Sequence, residues 1–303
     1  MERPVVPLIA WLGSAEAGPD ALGGKAASLD RLGRFGFRIP PGFCLTTAAF
    51  RAQVAAYPAA QVLAARLGES GDPGLGRELA EILATVPVAP AIEAALAPAL
   101  ASIDERARER SGRPARLAVR SSAIGEDGFA ASYAGLHETE LDRSVDEVSG
   151  AIRRCWASLW SAPALAYRSR RGLALDGAAM AVVVQELVPA DAAAVAFTRH
   201  PVTGRTDQLV LTAVRGLGDA MVSGTVTPDT YIVGRDDRRV IEFTPGDDVD
   251  RPLDATALDD LVELVLEVEA KFGAPVDVEA AMTGGAWFLL QARPITTGAT
   301  AAA

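Results

Sequence analysis

"PVDVEAAMTGGAWFLLQARPIT", residues 275–296, holds the pattern on which the fold turns. Gly284 and Gly285 mark a tight reversal, and apolar-rich runs flank them, so the spacing predicts a β-hairpin. Side chains alternate faces along a strand, which places Asp277 with Glu279 and Gln291 with Arg293. Turn length decides whether those two faces coincide. A three-residue turn, Thr283-Gly284-Gly285, puts all four side chains on one face. A two-residue turn puts the pairs on opposite faces. On a shared face, carboxylate and amide oxygens are hard ligands suited to Mg2+, and Arg293 offers a bidentate grip on phosphate. The plainer reading is a surface ion pair between Glu279 and Arg293. The apolar neighbours Val276, Val278, Leu289 and Leu290 weigh against it, because they predict a sheet covered on its other face.

Upstream of the hairpin, residues 256–272 carry apolar positions at 258, 261, 262, 265, 266 and 268, a helical period. Thr256-Ala-Leu-Asp259 resembles a capping box at its start, and Gly273 ends it. Strands are predicted at 180–187 (MAVVVQEL), 208–213, 229–234 and 238–243, with AVAFT (194–198) as the hairpin partner of 180–187. Residues 24–34 and 144–171 read as helix. Residues 48–110 read as helical pieces broken at Pro58, Gly68–Gly76, Pro87–Pro90 and Pro98. Residues 37–47 are extended around Pro40 and Pro41. LAVR (117–120) is a short strand, and 121–135 is a small-residue loop. Mixed helix and antiparallel strand without an internal repeat gives an α+β class.

The chain has 303 residues, half of them hydrophobic and 22% charged, so a sizeable core is expected. A net charge of −10 argues against a nucleic-acid surface, which needs clustered cations. Cys44 and Cys155 are the two cysteines, without a CxxC pair, so neither a disulfide framework nor a zinc site is expected. A reducing cytoplasm is the default location. The start, MERPVVPLIAWLG, lacks a cleavable signal pattern, and no apolar run reaches the ~18 residues that span a bilayer. The small, polar end of the chain reads as a frayed terminus or a linker.

Three further stretches carry chemistry. The loop 121–135 combines Ser121, Ser122, Gly125, Gly128, Ser132 and Gly135. Such residues let backbone N–H groups approach an anion, the serine hydroxyls add donors to it, and Arg120 stands at the loop's base. An ordinary surface loop is the competing reading. Gly23-Gly24-Lys25 opens a helix, where Lys25 and the helix dipole can jointly attract a phosphate, although a solvated lysine is the simpler view. Gln185-Glu186-Leu187-Val188 ends a buried strand and can offer backbone groups to an adenine edge.

Taken in order, "GGKAASLDRLGRFGFRIPPGFCLTT", "AVRSSAIGEDGFAASYAGLHET", "RRCWASLW", "VVVQELV", "AFTRHPVTG", "RGLGDAMVSGTVTPDTY" and the closing hairpin resemble a known family. It is the ATP-binding domain of the pyruvate-phosphate dikinase, phosphoenolpyruvate synthase and rifampin phosphotransferase group, and the match runs over about residues 20–297. The resemblance implies an ATP-grasp-like fold of two lobes with ATP between them. The lobes are expected at 1–183 and 184–297, with a tail at 298–303. It also implies roles. Lys25 and Arg120 contact phosphates. Gly135 and Thr139 lie on the loop that closes over the triphosphate. Gln185, Glu186 and Val188 meet the adenine. Glu279 and Gln291 hold Mg2+, and Arg293 clamps the terminal phosphates.

The resemblance further implies ATP cleaved to AMP and phosphate, with Lys25, Arg120 and Arg293 as catalytic cations. Family members carry a swivelling domain with a phosphorylatable histidine. The two histidines here, His137 and His200, lie outside that motif. The chain is therefore expected to work with a separate swivelling phosphohistidine protein and an unidentified small-molecule acceptor, away from nucleic acid and membrane. The other readings are a stand-alone small-molecule kinase, a non-catalytic nucleotide-binding subunit and an acyl-phosphate ligase.

Overall fold

The computed structural model describes residues 6–124 and 139–295. Among them the chain forms two compact units, one from 6–30, 41–124 and 139–187, the other from 31–40 and 188–295. The chain thus passes into the second unit after Leu187, a few residues beyond the expected division at 183/184. The stretch 31–40, expected with the N-terminal lobe, belongs to the second unit.

The first unit has a five-stranded antiparallel sheet ordered β1-β2-β5-β3-β4. Its strands are β1 (Ile9–Trp11), β2 (Gly42–Leu45), β3 (Leu117–Ala123), β4 (Thr139–Arg143) and β5 (Met180–Glu186). Helices α2 (Thr47–Ala56), α3 (Pro58–Ser70), α4 (Pro73–Thr85), α5 (Pro90–Ser111), α6 (Val148–Ser158) and α7 (Ala162–Arg170) supply most of its core. Local sequence explains their ends. Pro58, Pro73 and Pro90 sit in the first turns, where a missing N–H costs nothing, and Gly71 and Gly112 close α3 and α5 in the left-handed region. Asp72 caps α4, its side chain accepting the Gly74 N–H at 2.8 Å.

The break expected at Pro98 is absent. Helix α5 runs through it because Ile92, Leu96, Ala99, Leu100, Ile103 and Ala107 form one buried face whose packing outweighs the lost backbone bond. The loop expected at 121–135 also starts later. Ser121, Ser122 and Ala123 extend β3 and pair with Val182, Ala181 and Met180.

The second unit has a six-stranded antiparallel sheet, β11-β10-β6-β7-β8-β9. Its strands are β6 (Ala192–Phe197), β7 (Gln208–Arg215), β8 (Asp229–Gly234), β9 (Val240–Thr244), β10 (Val276–Thr283) and β11 (Ala286–Pro294), with a one-turn α8 (Asp219–Val222) and a long α9 (Ala255–Phe272). Leu258, Leu261, Val262, Val265 and Val268 of α9 are buried with the inner faces of β6, β7, β10 and β11. Each such side chain contributes about 2 kcal/mol by leaving water. The cap of α9 differs from expectation: Asp254, not Thr256, accepts the Ala257 N–H, at 2.8 Å. Gly273 closes the helix at φ 71° as expected.

The predicted hairpin of 180–187 with 194–198 does not form. β5 pairs with β2 and β3, whereas β6 pairs with β7 and β10 in the other sheet. Both segments are buried, so each is placed by its sheet neighbours and not by the turn signal between them. Among the described residues no single helix is long and apolar enough to cross a membrane. The pair α4 and α5 passes such a test together, but it bends by 54° and its apolar residues lie in the first unit's core.

Candidate functional site

In the second unit, the hairpin β10/β11 resolves the opening ambiguity in an unexpected way. Thr283 pairs with Ala286, so the turn is the two residues Gly284 and Gly285, both at positive φ (56° and 74°) as a type I′ turn requires. From there the register is regular to Ala280 opposite Leu289. Glu279 then faces Gln291, which leaves Leu290 as the extra residue of a β-bulge. Below the bulge Asp277 faces Arg293. The turn is thus the short one, yet all four polar side chains share a face.

Burial is the physical reason. Val276, Val278 and Ala280 on β10 and Trp287, Leu289 and Ala292 on β11 belong to the core with α9. The Trp287 Nε1–H donates to the Ala257 carbonyl of that helix at 3.2 Å. Without the bulge, strict alternation would carry Gln291 and Arg293 onto the same face as Leu289. One inserted residue turns them away from the core.

The cluster so formed is partly enclosed. Gln291 is 5% exposed and Asp277 8%. Arg293 and Asp277 form an ion pair in which Asp277 Oδ2 lies 2.7 Å from both Nε and Nη2. Burial pushes the Asp277 carboxyl above its usual range, Arg293 opposes that shift, and the Glu279 charge adds to it. Glu279 and Gln291 stand directly across the ladder from each other, a carboxylate and an amide oxygen at cross-strand spacing. This donor set fits Mg2+, which takes one or two protein oxygens and leaves its other positions to water and phosphate. Among the described residues no cluster of three or more His, Cys, Asp or Glu forms an all-protein metal cage.

In the first unit the sheet register gathers a second set. Ala118, Arg120 and Ser122 lie on one face of β3, opposite Gln185, Val183 and Ala181 on β5, and Thr139 of β4 pairs with Arg120. The other face, through Leu117, Val119, Val182 and Val184, packs into the helical core. Arg120, Thr139 and Gln185 therefore share the face away from that core. Gln185 is 2% exposed, and its Nε2 donor meets no acceptor among the described residues. Gly42 beside it has no room for a side chain, since a Cβ there would lie 2.6 Å from the Val184 carbonyl oxygen.

Lys25 lies on an interrupted helix that is tied to β3 beside it. Helix α1 (Pro19–Arg34) breaks at Gly23, whose φ of 69° and ψ of 176° are not helical. Ser122 occupies the break. Its hydroxyl donates to the Leu22 carbonyl at 2.8 Å and accepts the Ala26 N–H at 3.0 Å. Ser122 thereby caps the second half of α1, one residue past Lys25, by the means an N-cap residue uses but from a distant strand. The expectation that the Ser121 and Ser122 hydroxyls would donate to an anion is revised. Ser122 is spent on the helix, and Ser121 faces the core. The Gly-Gly pair was the sequence signal for the break; nothing local pointed to the clasp.

The adenine-edge expectation is narrowed too. The N–H groups of Glu186 and Leu187 donate to the carbonyls of Pro41 and Arg116, each at 2.8 Å. The Glu186 carboxylate pairs with Arg110. Val188 is buried and begins the second unit's share of the chain. Gly135 lies outside the described residues. Both cysteines are buried and neither is in a disulfide, and burial pushes the Cys44 thiol up, away from nucleophilic use. His200 is held in a turn where its Nδ1 accepts the N–H groups of Val202 and Thr203, at 3.2 and 3.3 Å.

The family model "Pyruvate phosphate dikinase, AMP/ATP-binding domain" matches residues 19–251. The prodigiosin synthesizing transferase PigC of Serratia marcescens is 36% identical over 93% of this chain and 32% of its own length. A rifampicin phosphotransferase of Streptomyces is likewise 36% identical over 93% of the chain, and 35% of its own length. A probable phosphoenolpyruvate synthase of Methanothermobacter thermautotrophicus is 33% identical over 91% of the chain and 44% of its own length. The chain therefore spans 32% to 44% of the length of these relatives.

Proposed function

We propose that this chain, which belongs to the pyruvate phosphate dikinase AMP/ATP-binding domain family, is the ATP-binding, Mg2+-dependent component of a dikinase-like phosphotransferase with an ATP-grasp-like fold. The observation that carries the reading is the bulged hairpin, which sets Glu279, Gln291 and Arg293 on one face with hard oxygens beside a guanidinium. Glu279 and Gln291 would hold the metal, which would neutralise phosphate charge when bound. Arg293 grips the terminal phosphates. Lys25 and Arg120 supply further positive charge for the phosphates, and Thr139, opposite Arg120, adds a hydroxyl. Gln185, with a buried donor in need of an acceptor, meets the adenine, together with the chain at Glu186 and Val188. Phosphoryl transfer asks little covalent chemistry of the protein, so positioning and charge stabilisation are what such a set contributes.

In this reading the acceptor is a histidine carried on a swivelling domain or partner. His200 does not suit the role: an Nδ1 that accepts two N–H groups leaves the proton on Nε2, the nitrogen that would have to attack. The test is product analysis. With Mg-ATP and a histidine-bearing partner, AMP and phosphate are expected, and neither without the partner. ADP as the sole product would replace the dikinase reading by a simple kinase. Binding of ATP with no turnover under any partner would leave a nucleotide-binding subunit.

A further inference from the structure

Asp277 has no role in the reading above, and its surroundings give it one. It lies on β10, which is bonded on both sides, to Phe197 of β6 and to Arg293 of β11. β11 ends the sheet order and carries the bulge one turn of the ladder away. Asp277 is thus on an interior strand of the sheet and Arg293 on the end strand. A single oxygen, Asp277 Oδ2, sits 2.7 Å from both Nε and Nη2 of the guanidinium. That grip takes one edge of the planar fork and fixes its rotation. An oxygen already shared by two N–H donors is a poor metal ligand, whereas Glu279, two residues along, stands across the ladder from the Gln291 amide.

We propose that Asp277 is a positioning residue that fixes the Arg293 guanidinium for phosphate contact, and is not a metal ligand; this rests on the phosphate-gripping role proposed for Arg293. Arginine is suited to such a task because its fork is planar, so holding one edge orients the rest. Glu279 and Gln291 then serve the cation, and Asp277 and Arg293 serve the anion, as two adjacent cross-strand pairs.

The experiment is a double-mutant cycle read as Mg-ATP affinity of the full chain by calorimetry, with AMP as the reference ligand. Arg293→Ala is expected to weaken Mg-ATP about tenfold or more, the size of a lost charge-assisted contact. Asp277→Ala should weaken it by a similar factor. The double variant should be no weaker than Arg293→Ala alone to within about twofold, because the two losses are one interaction. Affinity for AMP should move by less than about twofold throughout. Asp277→Asn keeps the shape and one acceptor, and an intermediate loss is expected of it; it decides the matter if thermal melting shows that Asp277→Ala does not fold. Losses that multiply in the double variant, or an Asp277→Asn defect that excess Mg2+ repairs, would mark a metal ligand and overturn the inference alone. A wild-type chain that binds no Mg-ATP would overturn the phosphate-gripping role of Arg293 and this inference with it.

Discussion

The two units aim polar side chains by different devices. In the first, a distant side chain repairs a broken helix: Gly23 interrupts α1, and the Ser122 hydroxyl bonds both flanks of the interruption. In the second, one extra backbone residue, Leu290, rotates the end of β11 so that Gln291 and Arg293 leave the core face. The helix device depends on close contact between elements about a hundred residues apart in sequence. The bulge is local and tolerates adjustment. A substitution at the first should therefore cost stability, and one at the second should spare it.

The largest effect is expected from Gly23→Ala. A Cβ at that position would lie 2.1 Å from the Ser122 carbonyl oxygen, in a backbone conformation with φ of 69° that side chains avoid. Left-handed strain and overpacking together predict a loss of about 3 kcal/mol, read by urea unfolding. A loss below about 1 kcal/mol would mean the break relaxes freely, and the contrast with the bulge would fall. Ser122→Ala comes next. It leaves the buried Ala26 N–H without the bond it now makes and removes the donor to Leu22, for an expected loss of about 2 kcal/mol. Weaker binding of ATP should accompany it, because the start of the Lys25 segment loses its cap.

Deletion of Leu290 should have the smallest effect. Without it the ladder runs unbroken, Glu279 still faces Gln291 and Asp277 still faces Arg293. Stability should fall by about 1 kcal/mol or less, since Leu290 is not part of the buried core, and Mg-ATP affinity should change less than in Arg293→Ala. An affinity loss as large as that of Arg293→Ala would show that the bend of the bulge, and not only the choice of face, positions the cluster.

What was legible from sequence follows the range of the physics involved. The hairpin turn, the helix of 256–272 with its closing glycine and the proline-started helices were readable, because Gly, Pro and apolar period act within a few residues. The candidate residues were readable as types: an arginine or amide on an apolar strand is conspicuous wherever it points. The proposed partnership of 180–187 with 194–198 failed because two buried apolar strands separated by a turn look like a hairpin to any local rule. Their true neighbours, β2 and β3 for one and β7 and β10 for the other, are chosen by burial across the whole unit.

The sequence by itself determined that the chain is α+β, that it ends in a glycine-turned hairpin and that Asp277, Glu279, Gln291 and Arg293 stand on that hairpin. Only the tertiary structure decided which way they face. Two-fold alternation from a two-residue turn would have sent Gln291 and Arg293 inward, and nothing in "FLLQAR" announces a bulge. The cost of burying an amide and a guanidinium against α9, set against the gain from burying Trp287 and Leu289 there, selects the register with one residue to spare.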